Sequence, residues 1–280
     1  MLQVALIGSG IGRSRSPALH MAEARAQGFA LDYALIDLQA RGLSAAALPD
    51  LLAEAEAAGL SGVNITHPCK QQVMACLDEM SPDARALGAV NTVVFRNGRR
   101  IGYNTDWSGF FESFRRGLPG VPLTEVLQMG AGGAGAAVAH ACLALGVGRL
   151  YLQDAAPGRA AQLAEALNAR AGRTFATPVG HAAEVTPRIN GLINTTPMGM
   201  AAHPGMALDP ALLDPRHWVA EIVYFPLETE LLRVARALGC RTLDGGGMAV
   251  FQAVGAFELF TTHKAEPERM LAHFATLPPP

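Results

Sequence analysis

The chain has 280 residues, half of them hydrophobic and 16% charged, with a formal net charge of −2. That length and apolar content supply a sizeable core for one large domain or two modest ones. The near-neutral balance, with few aromatics and no basic stripe, argues against a nucleic-acid surface, and no apolar run approaches membrane-spanning length.

Gln3–Gly8 reads as a strand, and the apolar run Leu2–Ile7 lacks a basic flank and is too short for a secretory h-region. A Ser/Arg-rich loop follows, with Ser16 as helix N-cap and Pro17 opening a helix to Gln27. Leu31–Asp37 is a second strand and Leu43–Ala58 a second helix. Gly62–Thr66 is a short strand running into His67-Pro68-Cys69-Lys70, and Gln71–Leu77 is expected to be helical. Val90–Arg96 and Arg99–Tyr103, joined by Asn97-Gly98, form a hairpin. Asn104-Thr105-Asp106 starts a helix that continues over Trp107–Arg116, and the Gly/Pro-rich stretch Gly117–Pro122 reads as a linker.

A second α/β unit follows. Its strands are expected at Glu125–Met129, Arg149–Asp154, Thr174–Pro178, Gly191–Asn194, Val219–Ile222 and Cys240–Leu243. Helices fall at Ala134–Leu145, Pro157–Arg170, Glu228–Ala237, Gly247–Thr262 and Glu266–Phe274, before a Pro278–Pro280 tail. The alternation implies an α/β protein with helices on both faces of a parallel sheet; the division expected is a mixed-sheet α/β domain over residues 1–104, with helices of 250–280 packing back on it, and a Rossmann-type domain over 105–249.

Between two apolar runs of that second unit lies Gly130-Ala131-Gly132-Gly133-Ala134-Gly135, and Asp154 follows roughly nineteen residues later. Strand, glycine turn, helix, strand and acid, in that order, are the fingerprint of a dinucleotide site. The glycines let the backbone approach a pyrophosphate, the helix N-terminus offers unpaired N–H groups, and Asp154 suits ribose hydroxyls.

Other polar clusters sit where packing does not require them. Ser14 and Ser16 present two hydroxyls near a helix N-terminus, which suits a small carboxylate as well as a cap. Strand alternation puts Asn64 and Thr66 on one side, with Lys70 just beyond, where ligands of parallel sheets bind; a lone lysine is more often a solvated charge. Asp106 would serve equally as a first-turn acid and Asn91 as a turn residue. Gln252, a polar amide in an otherwise apolar helix, needs a partner. Cys69, Cys76, Cys142 and Cys240 show no CxxC spacing and read as reduced thiols of a cytoplasmic protein. The histidines are scattered, so no metal is expected.

These residues resemble the shikimate dehydrogenase family over nearly the whole chain. The resemblance rests on Ser14-x-Ser16-Pro17-x-x-His20, Asn64-Ile65-Thr66-x-Pro68-x-Lys70, Gly88-Ala89-Val90-Asn91-Thr92, Gly102-x-Asn104-Thr105-Asp106, the glycine loop, Asn194-x-Thr196-Pro197-x-Gly199-Met200, and Asp244-Gly245-x-x-Met248-x-x-x-Gln252. Stretches such as Ala202-His203-Pro204-Gly205 and Glu228-Thr229-Glu230-Leu231-Leu232 are most similar to its bacterial NAD-dependent quinate/shikimate members.

The resemblance implies Lys70 and Asp106 as the catalytic pair, Ser14 and Ser16 as the carboxylate-binding hydroxyls, and Asn64, Thr66, Asn91 and Gln252 as further substrate contacts. It implies Gly130, Gly132, Gly133 and Gly135, with Ala131 and Ala134, as the cofactor loop. Thr195, Thr196, Met198, Val223 and Gly247 would border the adenine or nicotinamide. The implied partner is a cyclic hydroxy acid, taken by a monomer or homodimer.

Asp154-Ala155-Ala156 stands where NADP-dependent members resemble Asn-Arg-Thr. An acid accepts from a 2′-hydroxyl and repels a 2′-phosphate, so NAD is expected over NADP, with Arg159 nearby to tolerate some NADP. Gly10-Ile11-Gly12-Arg13 replaces the family's usual Pro-Ile-x-His, which alters the carboxylate pocket. Ser16, in place of the threonine of some quinate enzymes, leans toward shikimate.

Rival readings are a non-catalytic sensor of dinucleotide and metabolite, a family member acting on a related cyclic carboxylate, and a methylene-folate-type dehydrogenase. Retention of both Lys70 and Asp106 disfavours the first. The serine loop and Asn104-Thr105-Asp106 disfavour the last.

Overall fold

The computed structural model describes residues 1–156 and 158–278. Pro157, where a helix was expected to start, and Pro279–Pro280 of the tail lie outside the described residues. The chain divides into two compact units: Met1–Gly109 with Val250–Pro278, and Phe110–Ala249.

The first unit is built on β1 (Leu2–Gly8), β2 (Leu31–Asp37), β3 (Gly62–Ile65), β4 (Glu79–Met80), β5 (Thr92–Arg96) and β6 (Arg99–Tyr103). They form one mixed sheet in the order β2-β1-β3-β5-β6-β4. β1 runs parallel to β2 and β3, whereas β5 is antiparallel to β3 and β6. Helices α1 (Ser16–Ala26), α2 (Leu48–Ala57) and α3 (Pro82–Leu87) belong to this unit, as does α9 (Pro267–Thr276) and most of α8 (Gly246–Thr261).

Register decides what each face carries. Val4 pairs with Tyr33 and with Gly62, and Leu6 with Asn64, so these side chains share one face. Val4, Leu6 and Tyr33 are buried there with Phe257 and Phe260 of α8. Each fully buried Phe contributes ~1.5–3 kcal/mol. Gly62 is glycine because a Cβ there would lie 2.7 Å from the Phe260 ring. The opposite face buries Ala5, Ile7, Val63 and Ile65 under Leu48, Leu51 and Leu52 of α2. α9 is fastened to α1 by the buried carboxylate of Glu23, which accepts from Arg269 Nε at 2.7 Å and Nη2 at 2.6 Å.

The second unit holds most of α4 (Asp106–Gly117), then β7 (Glu125–Met129), α5 (Gly133–Ala144), β8 (Arg149–Gln153), α6 (Arg159–Ala171), β9 (Ala176–Pro178), β10 (Gly191–Asn194), β11 (Trp218–Glu221), α7 (Glu230–Ala237) and β12 (Arg241–Leu243). Its sheet is wholly parallel, ordered β12-β11-β10-β7-β8-β9. The strand order therefore reverses between β7 and β10, the switch point where open α/β sheets bind ligands. Among the described residues no helix is long and apolar enough to cross a membrane.

Several expectations need correction. Ser16 is not the cap of α1. The helix begins at Ser16 itself, the capping position is Arg15, and no side chain caps it. The segment expected as a helix from Leu43 opens with a 3₁₀ turn at Ala45–Ala47, capped by Ser44, before α2 starts at Leu48. Gln72–Cys76 is 3₁₀ rather than α. The reading missed β4 and α3, although Ser81 caps α3, Pro82 opens it, and Gly88 closes it at φ 63°. Thr174–Phe175 lies outside β9.

Candidate active site

In the first unit, the loop after β3 carries Lys70. Its carbonyl accepts from Val90 N at 2.9 Å, which ties the loop to the segment before β5. Lys70 Nζ lies 2.7 Å from Asp106 Oδ2, with the two side chains 23% and 13% exposed. Asp106 opens α4, and its N–H donates to Asn104 Oδ1 at 3.0 Å. Its other oxygen, Oδ1, accepts from Asn91 Nδ2 at 2.9 Å. An ammonium and a carboxylate are thus held face to face at a partly exposed position, and the carboxylate is oriented from behind.

The asparagines are held by a directional set of bonds. Asn91 Nδ2 also donates to Thr105 Oγ1 at 2.9 Å, and Asn91 Oδ1 accepts from Thr105 N at 2.7 Å and from Thr92 Oγ1 at 3.0 Å. Thr92 Oγ1 in turn accepts from Asn64 Nδ2 at 3.0 Å. Asn64 Oδ1 accepts from Tyr33 Oη at 2.7 Å. Burial pushes the Tyr33 phenol above its ordinary value, so it remains a donor. Ser14 Oγ accepts from Ser16 N at 3.3 Å. Thr66 follows β3, half-buried, with its Cγ2 occupying the space a Cβ on Gly8 would need.

Gln252 lies on α8, half-buried. Gly255, one turn along, packs so closely on Thr105 that a Cβ there would lie 3.2 Å from Thr105 Cγ2. Residues three apart share a helix face, so Gln252 faces the same side as Thr105, the neighbour of Asp106. His20, one turn after Ser16 on α1, is wholly buried with its ring 5.0 Å from that of Tyr33. Neither of its ring nitrogens has a hydrogen-bond partner, and burial lowers its pKa to about 3.

In the second unit, Gly130 leaves β7 with φ 98°, a left-handed conformation that favours glycine. A Cβ there would sit 2.7 Å from Thr195 Oγ1, and one on Gly135 would meet Gly130 O and Thr195 Oγ1. Thr195 Oγ1 donates to Met129 O and Gly130 O, both at 2.8 Å. From below, the buried Gln128 Nε2 donates at 2.8 Å to Gly130 O and to Gly135 O. Gly132 and Gly133 differ: a Cβ on either meets nothing within 4 Å. Gly132 caps α5 without a side-chain bond, so the first-turn N–H groups beside that open space have no side-chain cap.

Asp154, just past β8, lies across the same loop. Its Oδ2 accepts from Ala131 N and its Oδ1 from Ala156 N, both at 2.7 Å. Each carboxylate oxygen keeps a second lone pair. Arg159 is half-exposed, with Nη1 3.6 Å from Asp154 Oδ1. Glycine cradle, uncapped helix start and acid are a donor and acceptor set that fits the pyrophosphate and ribose of a dinucleotide.

Of the remaining cofactor candidates, Thr196 Oγ1 donates to Asn194 Oδ1 at 2.7 Å, and Met198 O accepts from Asn194 Nδ2 at 3.0 Å. Val223 N donates to Glu221 Oε1 at 3.0 Å. Gly247 has a packing reason of its own, since a Cβ would run into Ser113 of α4.

Sequence reasoning missed Tyr33, Gln128 and Glu221, and named Thr92 and Asn194 within motifs without giving their side chains a role. Glu221 is buried at the end of β11, takes both oxygens to Asn194 Nδ2, and is pushed up to about 7 by burial. An acid inside the apolar run Val219-Ala220-Glu221-Ile222 was the available signal.

Residues 6–93 match the family model for the shikimate dehydrogenase substrate binding domain. The shikimate dehydrogenase (NADP(+)) of Streptomyces avermitilis is 56% identical over 98% of this chain and 95% of its own. The quinate/shikimate dehydrogenase (NAD(+)) of Corynebacterium efficiens is 49% identical over 97% of each. Among solved structures, quinate dehydrogenase from Corynebacterium glutamicum in complex with NAD superposes with a TM-score of 0.94 at 47% identity, covering 99% of both chains.

Proposed function

This chain belongs to the shikimate dehydrogenase family, and we propose that it transfers hydride between NAD and a ring hydroxyl of shikimate or quinate. The observation that carries the reading is the Lys70–Asp106 pair at 2.7 Å. Binding alone needs no ammonium poised on a carboxylate. An alcohol that loses hydride must also lose a proton, and this pair supplies a place for it.

NAD, when bound, supplies the hydride acceptor. Ser14 and Ser16 receive the acid's carboxylate, and Asn64, Thr66, Asn91 and Gln252 receive its hydroxyls, which fixes the ring for reaction. As the ketone is reduced, Lys70 donates a proton to its oxygen. In the oxidising direction the same nitrogen takes the proton back. Asp106, held by Asn91, keeps the amine aimed. Gly130 to Gly135 receive the pyrophosphate, Asp154 the adenosine ribose, and Thr195, Thr196, Met198, Val223 and Gly247 flank the remainder.

The preference for NAD rests on Asp154. A carboxylate engaged at the loop repels a 2′-phosphate. Arg159 offers the opposing charge and leaves NADP a weaker alternative. The four cysteines are free thiols, which suits a reducing compartment, and we read the enzyme as a cytoplasmic monomer or homodimer.

Absorbance of reduced nicotinamide, followed with shikimate, quinate or neither and with NAD or NADP, tests the reading. Acid-dependent reduction favouring NAD is expected. No reduction with either acid would overturn the activity, and faster reduction of NADP would overturn the cofactor assignment.

A further inference from the structure

Tyr33 stands on β2, two strands away from Asn64 on β3, with β1 between them. Two strand spacings are about 9–10 Å, a span a short hydroxyl side chain does not bridge. The tyrosine crosses the face of β1 and ends against Asn64 Oδ1 at 2.7 Å. Its ring is buried beside those of His20 and Phe257.

We propose that Tyr33 is a positioning residue for the reaction: its phenol fixes the Asn64 amide that takes a ring hydroxyl and, through Thr92 and Asn91, the carboxylate of Asp106. This rests on the substrate reading above. The direction of each bond extends the effect. Because Tyr33 donates to Asn64 Oδ1, Asn64 Nδ2 must face Thr92 and the Asn91 carbonyl. Thr92 Oγ1, having accepted, donates to Asn91 Oδ1. That leaves Asn91 Nδ2 for Thr105 and Asp106. One phenolic proton thereby sets two amide orientations and, through them, the carboxylate that aims Lys70.

The test is Tyr33→Phe, which keeps the ring and removes the bond to Asn64. The KM for the acid should rise about tenfold and kcat should fall about threefold or more, with the KM for NAD unmoved. In a Thr92→Val background the same change should add less than about threefold, because part of its effect passes through Thr92. Thr92→Val should raise the KM for the acid as well, and Thr92→Ser should restore it. A Tyr33→Phe enzyme with an unchanged KM, or with an effect that simply multiplies that of Thr92→Val, overturns the proposal even if its melting temperature falls. Side-chain amide NMR signals of Asn64 and Asn91 give a readout that needs no turnover. They should shift in Tyr33→Phe, and unshifted signals overturn the proposal. If wild-type protein fails to reduce NAD with either acid, the proposed function falls while the amide signals still decide the role of Tyr33.

Discussion

Asp106 is gripped at both oxygens: Lys70 Nζ lies 2.7 Å from one and Asn91 Nδ2 lies 2.9 Å from the other. The amide fixes the carboxylate, and the carboxylate fixes the amine. Removing the amine should therefore affect chemistry more than binding. Lys70→Ala is expected to lower kcat by roughly 10²–10⁴-fold, with the dissociation constant of the acid changed severalfold at most. Steady-state kinetics beside equilibrium binding check this, and equal losses in both would reduce Lys70 to a binding group.

The same grip separates two changes at Asp106. Asp106→Asn keeps the shape but removes the charge that pairs with Lys70. Its new amide also places N–H groups against Asn91 Nδ2 or Lys70 Nζ, both donors. We expect turnover to fall by at least about tenfold and stability by about 1–3 kcal/mol. Kinetics and urea denaturation on one preparation measure both. A variant as active and as stable as the parent would mean that these bonds do not matter.

Asp154 has two jobs that substitution can part. It accepts from Ala131 N and Ala156 N at 2.7 Å, and in the proposed function it places negative charge where a 2′-phosphate would come. Asp154→Asn keeps one acceptor and loses the charge. The ratio of kcat/KM for NADP over NAD should rise by about tenfold or more, while the KM for NAD also rises. An unchanged ratio would remove Asp154 from cofactor choice.

His20 makes stability depend on pH. Unfolded, it takes up a proton near its ordinary pKa of 6.5, whereas folded it does so only at about 3. Between those values the unfolded chain binds the extra proton, so this contribution is whole above 6.5 and is lost as pH falls. From pH 7 to pH 5 the loss is about 2 kcal/mol. Of the rings around it, only Tyr33 titrates, and burial keeps that phenol protonated. His20→Leu discards two ring nitrogens that have no partner and should remove that slice of acid sensitivity with little loss at pH 7. Urea unfolding at both pH values decides it. An identical acid loss in parent and variant would contradict the assignment.

The alternation of strands and helices was legible because each element carries its own period and punctuation, and so was the glycine loop, whose function lies in the backbone. Lys70 and Asp106 could be named from the resemblance, but their pairing depends on how the β3 loop is tied to the segment before β5. Ser16 shows local chemistry shifted by one residue: its sequence context says cap, yet it is the first residue of α1 and Arg15 holds the capping position. The reach of Tyr33 was invisible, since alternation marks a residue as inward-facing without naming what it touches. Glu79–Met80 is too short to carry a period at all.

Two glycines of the proposed cofactor loop make opposite predictions. A Cβ on Gly135 would collide with Gly130 O, backbone that cannot turn away, so Gly135→Ala should cost roughly 1–3 kcal/mol of stability and weaken the cofactor as a consequence. A Cβ on Gly133 would meet nothing within 4 Å. Alanine is also the better helix former, by roughly 0.5–1 kcal/mol in a helix interior and less at a first turn. Gly133→Ala should therefore fold as well as the parent or slightly better, yet bind NAD at least about tenfold more weakly, because the added methyl occupies the space beside the uncapped N–H groups. Thermal melts without cofactor, beside NAD titrations, separate the two. If Gly133→Ala melts normally and holds NAD as tightly as the parent, that open space is not where the pyrophosphate sits.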